Sequence, residues 1–472
     1  MRRAEALIGG TWHEEQDGTR FTVHDPATGA ALAEVADCGA ELTRLAVDAA
    51  AAALPSWRAM AAHERAELMR RAAAELTERA GLIGEIMTAE QGKPLAESTA
   101  EVRAGAEHLL WAAEETRRLY GSTVPGAGAD HRVWLLPEPV GVVAGITPWN
   151  FPVSMITRKL GPALAAGCTV VLKPAEQTPL SAVAVAEAFT AAGLPPGVFN
   201  LVPTSRPALF AETVMADPRV RKVSFTGSTE VGRELIRRSA QDVKRMSVEL
   251  GGHAPVLVFP DADPVAAAAA VARAKFLNAG QACTSPNRVF VHRDVAAPFT
   301  AALVERAEAI TPGVDMGPLI DAAALAKVER HVEDALAGGA TALTGGHRLD
   351  RPGAFYPPTV LAGVRDNMLV CREETFGPVA PIIEFDDVDG VVARANATPY
   401  GLTAYLWTAD LNRTLRVAEE LEFGMVAVNG GPLAPPQAPF GGIKNSGYGR
   451  EGGSLGVADY LDYKYLSVGL GR

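Results

Sequence analysis

The sequence has few cysteines and no excess of basic residues. Its four cysteines, Cys38, Cys168, Cys283 and Cys371, are widely spaced and form no CxxC pair. That spacing argues against a zinc site or a disulfide framework and favours a reducing compartment. The 44 lysines and arginines are outnumbered by 55 acidic residues, which gives a net charge of -11. A nucleic-acid partner is therefore not expected, because phosphate contacts need a basic excess.

The sequence also lacks the patterns of membrane insertion and of metal binding. No stretch reaches the ~20 apolar residues that a membrane span needs, and the start MRRAEALIGGTW contains no apolar segment of signal-peptide length. We therefore expect a cytoplasmic protein that makes no contact with a membrane. The segments HEEQ at His13 and HERAE at His63 lack a second histidine four residues on, so no metal site is predicted.

Short apolar segments that alternate with helical patterns dominate the chain from about residue 140 onward. The segments VGVVAGIT, CTVVLKPA, VFNLV and KVSFTGS are each followed by a helical pattern, and PVLVFPDAD and RVFVH open a second series. This alternation predicts an α/β protein with parallel-type sheets covered by helices. A helical region over 41–120 precedes it. At 472 residues with 48% hydrophobic residues, the chain is long enough for two or three units.

A thiol and a carboxylate are the most informative residues for function. Cys283 lies in GQACTSP, where Gly280 and Pro286 predict an irregular loop, and Glu249 precedes Gly251 and Gly252 at the end of a predicted strand. A thiolate attacks a carbonyl carbon, and a carboxylate can activate the water that releases the resulting thioester. Each residue alone has a structural interpretation, as a buried small side chain or a surface charge. Together they indicate covalent catalysis.

Seven motifs occur in the order of a known family. They are TPWNFP (147–152), KPAEQTP (173–179), FTGSTEVG (225–232), ELGG (249–252), GQACTSP (280–286), EETFGPV (373–379) and PFGGIKNSGYGRE (439–451). The chain thus resembles the aldehyde dehydrogenase superfamily over essentially its whole length. The resemblance implies an NAD-binding domain (1–120 and 140–251), a catalytic domain (252–446) and an oligomerisation part formed by a hairpin and tail (121–139 and 447–472). A homodimer or homotetramer is expected.

The resemblance also assigns roles to the candidate catalytic residues. It implies that Cys283 attacks the aldehyde and that the Asn150 side-chain amide, with the Cys283 backbone N–H, holds the oxyanion. Glu249 then activates water, and its presence favours water over coenzyme A as the acyl acceptor. Lys159 and Glu451 match positions that relay the proton away, although a Lys–Glu pair can also be purely structural.

A dinucleotide site is expected without the usual fingerprint, since no GxGxxG follows a strand. Gly227 and Ser228 stand before a helix, where backbone amides suit a phosphate, although a simple N-cap is the alternative. The carboxylate of Glu176 would repel a 2′-phosphate, which favours NAD over NADP. The resemblance implies a cofactor site composed of Ile146, Pro148, Trp149, Lys173, Glu176, Gly227, Ser228, Glu374 and Phe376.

The substrate is indicated by the segment NFPVSMITRKLGPALAAGC. It resembles succinate-semialdehyde dehydrogenases, in which the arginine equivalent to Arg158 binds the far carboxylate; an internal ion pair is the alternative. Phe151, Met155 and Phe440 are expected to line an apolar tunnel.

This chain departs from those enzymes at two substrate positions and differs from some relatives at a third. Leu277 replaces a second arginine, and GPLAPPQ replaces a loop that contains serine. Ser285 stands where some relatives carry a regulatory thiol.

The sequence therefore predicts NAD-dependent oxidation of a carboxylate-bearing semialdehyde, such as succinate semialdehyde, to the carboxylic acid. A dehydrogenase for general aliphatic or aromatic aldehydes is the nearest alternative. Acyl transfer to coenzyme A and an inactive homologue are more distant ones. The combined presence of Cys283, Glu249 and Asn150 argues against inactivity, because an inert protein has no chemical need for all three.

Overall fold

The computed structural model describes residues 4–15, 18–430 and 434–470. The helices of this part are α1 (Ala40–Ala59), α2 (Ala62–Glu78), α3 (Ala80–Gln91), α4 (Leu95–Glu115), α5 (Pro152–Ala166), α6 (Pro179–Ala191), α7 (Pro207–Ala216), α8 (Thr229–Ser239), α9 (Pro264–Phe276), α10 (Arg293–Glu308), α11 (Ala322–Ala337), α12 (Leu369–Arg372), α13 (Val388–Asn396), α14 (Leu411–Glu420) and α15 (Gly453–Ala458). Among these described helices, none has the length and apolar character needed to cross a bilayer.

The strands alternate with these helices, as the sequence predicts. They are β1 (Ala6–Ile8), β2 (Thr11–His13), β3 (Arg20–His24), β4 (Ala31–Ala36), β5 (Ser122–Val124), β6 (His131–Pro139), β7 (Val142–Ile146), β8 (Thr169–Lys173), β9 (Phe199–Leu201), β10 (Val220–Thr226), β11 (Arg245–Glu249), β12 (Ala254–Val258), β13 (Pro286–His292), β14 (Thr341–Thr344), β15 (Thr359–Ala362), β16 (Val379–Phe385), β17 (Tyr400–Gly401), β18 (Thr403–Trp407), β19 (Met425–Val428), β20 (Ile443–Lys444), β21 (Gly447–Tyr448) and β22 (Leu461–Gly469).

The first large sheet has the order β2-β1-β9-β8-β7-β10-β11-β21. Its centre, from β9 to β11, is parallel, and antiparallel strands lie at both edges. Every residue of β7 and β8 is buried, because helices pack on both faces of a parallel sheet. Two apolar clusters form these faces, one built largely from α2–α6 and the other from α1, α7 and α8.

The second large sheet has the order β14-β15-β16-β13-β12-β18-β19 and is parallel except for the β14–β15 pair. A third cluster, which includes residues of α9, α10 and α11, packs against it. The two sheets confirm the predicted α/β class with mostly parallel strands.

A small third sheet joins the predicted hairpin to the tail in the order β22-β6-β5. The tail strand β22 pairs with β6 of the hairpin from Leu461↔Pro139 to Gly469↔His131. The second edge of β22 pairs with no described strand. The domain boundaries assigned from the sequence stay a prediction.

The order of the strands decides where the functional loops meet. Glu249 is the last residue of β11 rather than the residue after it, and Asn150 follows β7. Both therefore lie at the carboxyl edge of the first sheet. Cys283 and Glu374 lie shortly before β13 and β16, at the amino edge of the second sheet. The site is formed where these two edges face each other.

Candidate active site

The loop that carries Cys283 is tight and strained, as predicted. Asn278 and Ala279 both have positive φ, 49° and 54°, and Gly280 has φ 73°. A Cβ at Gly280 would collide with the backbone carbonyl of Gly377, so only glycine allows this approach. The loop is thereby held against the segment that precedes β16.

Cys283 and Glu249 line the same cavity. The half-buried thiol and the carboxylate are near enough for each to act on the pKa of the other. Burial, reinforced by the charge of Glu451, raises the pKa of Glu249 to about 8. Burial and the neighbouring Glu249 charge hold the pKa of Cys283 well above its usual range. Oε1 of Glu249 has no hydrogen-bond partner among the described residues, so that oxygen is available to a water molecule.

Asn150 is 5% exposed and points toward the same loop. Its Nδ2 donates to the backbone carbonyl of Gln281 at 2.9 Å, two residues before the nucleophile. An amide nitrogen carries two hydrogens, so this bond orients the group and leaves the second N–H free.

Lys159 and Glu451 form the expected pair in a buried polar cluster. Lys159 Nζ lies 2.7 Å from Glu451 Oε1, 2.7 Å from Thr226 Oγ1 and 3.3 Å from Ser224 Oγ. Burial acts to raise the pKa of Glu451, but the charges of Lys159 and Arg158 outweigh it and leave that pKa below its ordinary value. Thr226 faces Glu249 in the β10–β11 register, which places the pair beside the candidate general base.

Arg158 makes no ion pair with any described residue, so the internal ion pair considered for it is absent. The residue is 6% exposed on α5. Its Nε donates to His108 Nε2 at 3.3 Å, and its guanidinium lies 4.5 Å from the centre of the Phe440 ring. Burial and the charge of Arg158 lower the pKa of His108 to about 3, so the imidazole is neutral and accepts this bond. A buried guanidinium without a carboxylate partner is a candidate contact for an anionic ligand, because a buried charge is costly unless it is paired.

A cavity of about 900 Å³ opens from Cys283 between α4, α5 and α9. Phe151, Met155 and Phe440 line it, as predicted, and so does Leu277. Most of the other lining side chains are small or charged and include Ala100, Ala104, Ala270, Ala274, His108, Arg158 and Arg273. The loop at 431–437 was predicted to lack an anion contact; residues 431–433 lie outside the described residues.

A second cavity of about 280 Å³ meets the first at Cys283. Its lining includes Glu249, Asn150 and six of the predicted cofactor residues, namely Pro148, Trp149, Gly227, Ser228, Glu374 and Phe376. The thiol can therefore be reached from both cavities. This is the geometry that a reaction between two bound molecules needs.

The remaining predicted cofactor residues lie along the same sheet edge but do not line this cavity. Ile146 ends β7 and Lys173 ends β8, and the two are paired in register. Lys173 Nζ lies 2.9 Å from Glu176 Oε2, and the Glu176 side chain is 38% exposed. Burial lowers the pKa of Lys173, against the charge of Glu176. These groups face the carboxyl edge where parallel sheets usually bind nucleotides.

The groups in the second cavity suit a nicotinamide dinucleotide. Ser228 caps α8 by accepting from Val231 N at 3.3 Å, so the N-cap role is real, and Gly227 and Ser228, which precede this helix, line the cavity. Gly252 N donates to Glu374 Oε1 at 2.9 Å, and burial raises the pKa of Glu374 to about 7. Trp149 and Phe376 form an edge-on pair with ring centres 5.7 Å apart.

Several contacting residues were not found from the sequence. His108, Gln91, Lys93 and Glu101 reach the site from α3, α4 and the turn between them. The sequence analysis predicted a helical region over 41–120 and named no functional residue in it. The polar segment QGKP, placed between two amphipathic helices, was the one available signal. No group of three or more metal-ligating side chains occurs in the part of the chain that the structure describes.

Comparison with known proteins gives consistent matches. Residues 12–466 match the model of the "Aldehyde dehydrogenase family". The chain is 49% identical to the succinate-semialdehyde dehydrogenase (NADP(+)) of Escherichia coli strain K12, covering 99% of this chain and 98% of that protein. It is 47% identical to the glutarate-semialdehyde dehydrogenase of Pseudomonas aeruginosa, with the same coverage. The solved structure of an NADP dependent enzyme from E. coli superposes with a TM-score of 0.98 at 48% identity, covering 99% of this chain and 98% of that one.

Proposed function

The chain belongs to the aldehyde dehydrogenase family, and from that premise we propose that it oxidises a semialdehyde with a distal carboxylate through a covalent Cys283 intermediate. Membership makes it an NAD(P)-dependent aldehyde dehydrogenase. The observation that carries the proposal is the position of Cys283 where the two cavities meet, with Arg158 buried and unpaired in the larger one.

The first half of the reaction begins with the thiol. Glu249, which lines the same cavity as Cys283, accepts the thiol proton, and the thiolate attacks the aldehyde carbon. Negative charge then develops on the aldehyde oxygen, which the free N–H of Asn150 and the backbone N–H of Cys283 stabilise. Loss of one such donor typically costs ~2.7 to 4 kcal/mol in the barrier. The bound dinucleotide supplies the hydride acceptor that converts this adduct into a thioester.

The second half releases the acid. Glu249 first passes the thiol proton on to the neighbouring polar groups and then removes a proton from water. The resulting hydroxide attacks the thioester carbon, the C–S bond breaks, and Cys283 leaves as a thiolate that takes up a proton again. Lys159, Thr226 and Glu451 provide polar atoms beside Glu249 through which the proton taken up by Glu249 leaves the buried site. A carboxylate at this position favours water over coenzyme A as the acyl acceptor.

The preference between NAD and NADP rests on Glu176. Its carboxylate lies at the carboxyl edge of β8 and would repel a 2′-phosphate, which favours NAD, whereas its bond to Lys173 reduces that repulsion. The E. coli relative is named for NADP(+), which weighs against the NAD preference. The ratio of kcat/KM for the two dinucleotides decides between them.

The substrate class is inferred from Arg158. Nε of the Arg158 guanidinium donates to His108. The two terminal nitrogens remain for two parallel hydrogen bonds to a carboxylate. Arg158 is also close enough to Cys283 and Glu249 to oppose the rise of both pKa values. An aldehyde and a carboxylate separated by a short chain would therefore span the two groups. The names of the relatives, succinate- and glutarate-semialdehyde dehydrogenase, support this class.

The test compares succinate semialdehyde with hexanal in the protein and in its Arg158→Gln variant. We expect kcat/KM for the semialdehyde to fall about 30-fold or more, since loss of a buried charge partner costs ~2 kcal/mol or more. Hexanal should lose much less, because the rise in the pKa values of Cys283 and Glu249 on loss of Arg158 affects both aldehydes alike. Arg65→Gln is the matched control, because Arg65 is buried but bonds only backbone carbonyls away from the site.

Two outcomes would contradict different parts of the proposal. If Arg158→Gln leaves the ratio of kcat/KM for the two aldehydes unchanged, Arg158 does not recognise a substrate carboxylate. General aldehydes would then be the better substrate class. Reduction of the dinucleotide that survives in Cys283→Ala would remove the covalent mechanism.

A further inference from the structure

A buried ion pair, whose two residues also line the larger cavity, lies beside Asn150. Lys93, in the turn between α3 and α4, places Nζ 2.6 Å from Glu101 Oε2, and the two side chains are 1% and 4% exposed. Removing two charges from water costs several kcal/mol per ion, and apolar residues of similar size often serve stability as well. Stability alone therefore does not explain a lysine at this position.

The ammonium of Lys93 is also bonded to the Asn150 backbone. Nζ donates to the carbonyl of Asn150 at 2.7 Å and lies 4.2 Å from the centre of the Phe151 ring. Asn278 Nδ2 donates to the same carbonyl at 2.9 Å. Two donors on one carbonyl fix the orientation of the peptide that joins Asn150 to Phe151.

Glu101 holds the other end of this short segment. Its Oε1 accepts from Val153 N at 3.0 Å and from Ser154 N at 3.2 Å, in the first turn of α5. The N-cap residue Phe151 makes no side-chain capping bond, so Glu101 satisfies these free amides from another helix. The Lys93–Glu101 pair thus clamps residues 150–154 on both sides.

The same region supports the nucleophile loop. Gln91 Nε2 donates to Asn278 Oδ1 at 2.9 Å, and Asn278 N donates to Glu97 Oε2 at 3.0 Å. Asn278 has the unfavourable φ of 49°, which such contacts stabilise. The Asn150 amide and the Cys283 backbone N–H are the two groups that would contact the aldehyde oxygen. The segments that carry them are therefore both held by the end of α3 and the start of α4.

We propose that Lys93 is a positioning residue, which acts through the Asn150 backbone to aim the Asn150 amide at the oxygen of the thiol-bound aldehyde. The inference rests on the oxyanion role given to Asn150 in the proposed function. A displacement of 1 Å in a catalytic group can cost ~100-fold in rate. The contribution of Lys93 therefore belongs to the rate of acylation rather than to the affinity for the dinucleotide.

The test is a double-mutant cycle with Lys93→Met, Asn150→Ala and the combined variant. The measurement is the rate of NAD(P)H formation in the first turnover after rapid mixing with aldehyde, repeated with the aldehyde deuterated at C1. Lys93→Met should slow this step about 10- to 100-fold, with unchanged dinucleotide affinity. In the Asn150→Ala background the same substitution should cost less than about threefold, because the group that it positions is gone.

Two variants protect the test from a simple loss of folding. Lys93→Gln keeps an N–H donor on a similar stem, and its cycle with Asn150→Ala is interpreted in the same way if Lys93→Met does not fold. Lys244→Met is the matched control, because Lys244 is equally buried and bonds backbone carbonyls at the opposite edge of the first sheet. It should leave the first turnover unchanged.

The outcomes separate this inference from the proposed function. Equal fold-losses from the Lys93 substitution with and without Asn150 would overturn the positioning role while leaving the oxyanion role of Asn150 intact. If Asn150→Ala does not slow the first turnover, the oxyanion role itself is wrong and Lys93 has nothing to position.

Discussion

At the scale of single residues, the site depends on ionisable side chains whose charged forms cost free energy to bury. Glu249 has a pKa near 8 because burial and Glu451 both disfavour its ionised form. Such a carboxyl is a stronger base than an exposed one, and its pKa near the working pH suits proton transfer in both directions. The same shift means that part of the Glu249 population is protonated at neutral pH.

This gives a prediction for the pH dependence of hydrolysis. Only ionised Glu249 can activate water, so kcat should rise with pH through a limb near 8 when hydrolysis limits turnover. In Glu451→Gln the removal of the neighbouring negative charge lowers the pKa of Glu249, so the limb should move to lower pH even as kcat falls. The measurement is steady-state kcat from about pH 6 to about pH 10, roughly two pH units on either side of that pKa.

The control for this prediction is Glu115→Gln, which neutralises a buried carboxylate that pairs with Arg118 outside the site. Its profile should match that of the unmodified protein. A limb that stays in place or moves to higher pH in Glu451→Gln would show that Glu451 does not act on Glu249.

At the scale of elements, three helices set the shape of the substrate cavity. The faces of α4 and α9 present alanines, α5 supplies Arg158, and Leu277 follows the last residue of α9. Leu277 is 43% exposed and lines the cavity. The result is a cavity with small side chains along two of its helices and the buried guanidinium of Arg158 on the third.

Leu277→Arg should therefore strengthen the binding of short oxo acids. A second guanidinium in the cavity adds a charge-assisted contact to the carboxylate, and KM for succinate semialdehyde should fall about fivefold, or ~1 kcal/mol. Hexanal should gain nothing. Leu336→Arg is the control, since Leu336 is similarly exposed but lies on α11 outside the cavity lining. A KM that falls equally for both aldehydes would contradict a carboxylate contact at position 277.

At the scale of the whole molecule, the small third sheet exposes large apolar side chains on both of its faces. Tyr463 and Tyr465 of β22 are 60% and 61% exposed on one face, and Trp134 and Leu136 of the paired strand β6 are 40% and 39% exposed on the other. Exposed apolar groups on one sheet are typical of a surface covered by another chain. This agrees with the oligomerisation part predicted from the sequence, which stays a prediction.

The double variant Tyr463→Glu/Tyr465→Glu should therefore lower the molecular mass in solution, because carboxylates are costly to bury in an interface. Light scattering after size exclusion measures the mass, and circular dichroism shows whether the fold is kept. Leu411→Glu, at a 70% exposed position on α14, is the control. A mass that is unchanged in the double variant would place the interface elsewhere.

The α/β class, the order of the elements and the candidate catalytic residues were all available from the sequence. Local patterns carry this information: apolar strands followed by helices, glycines where the backbone must turn, and motifs that surround Cys283, Glu249 and Asn150. Strand ends were less certain, and Glu249 proved to be the last residue of β11. No GxGxxG follows a strand, so the cofactor residues came from the resemblance alone, and their role stays a prediction.

The tertiary structure alone decided which distant residues touch. Lys93 and Asn150 are 57 residues apart, and Arg158 and His108 are 50 apart. Such contacts depend on the packing of α4 against α5, and no local pattern encodes that packing. The chain itself determined that a thiol, a carboxylate and an amide stand on turns beside strands. Burial, strand order and helix packing decided that Arg158 meets no carboxylate among the described residues and that the Lys93–Glu101 pair contacts the backbone at Asn150, because which charges lie side by side depends on the folded structure and not on spacing along the chain.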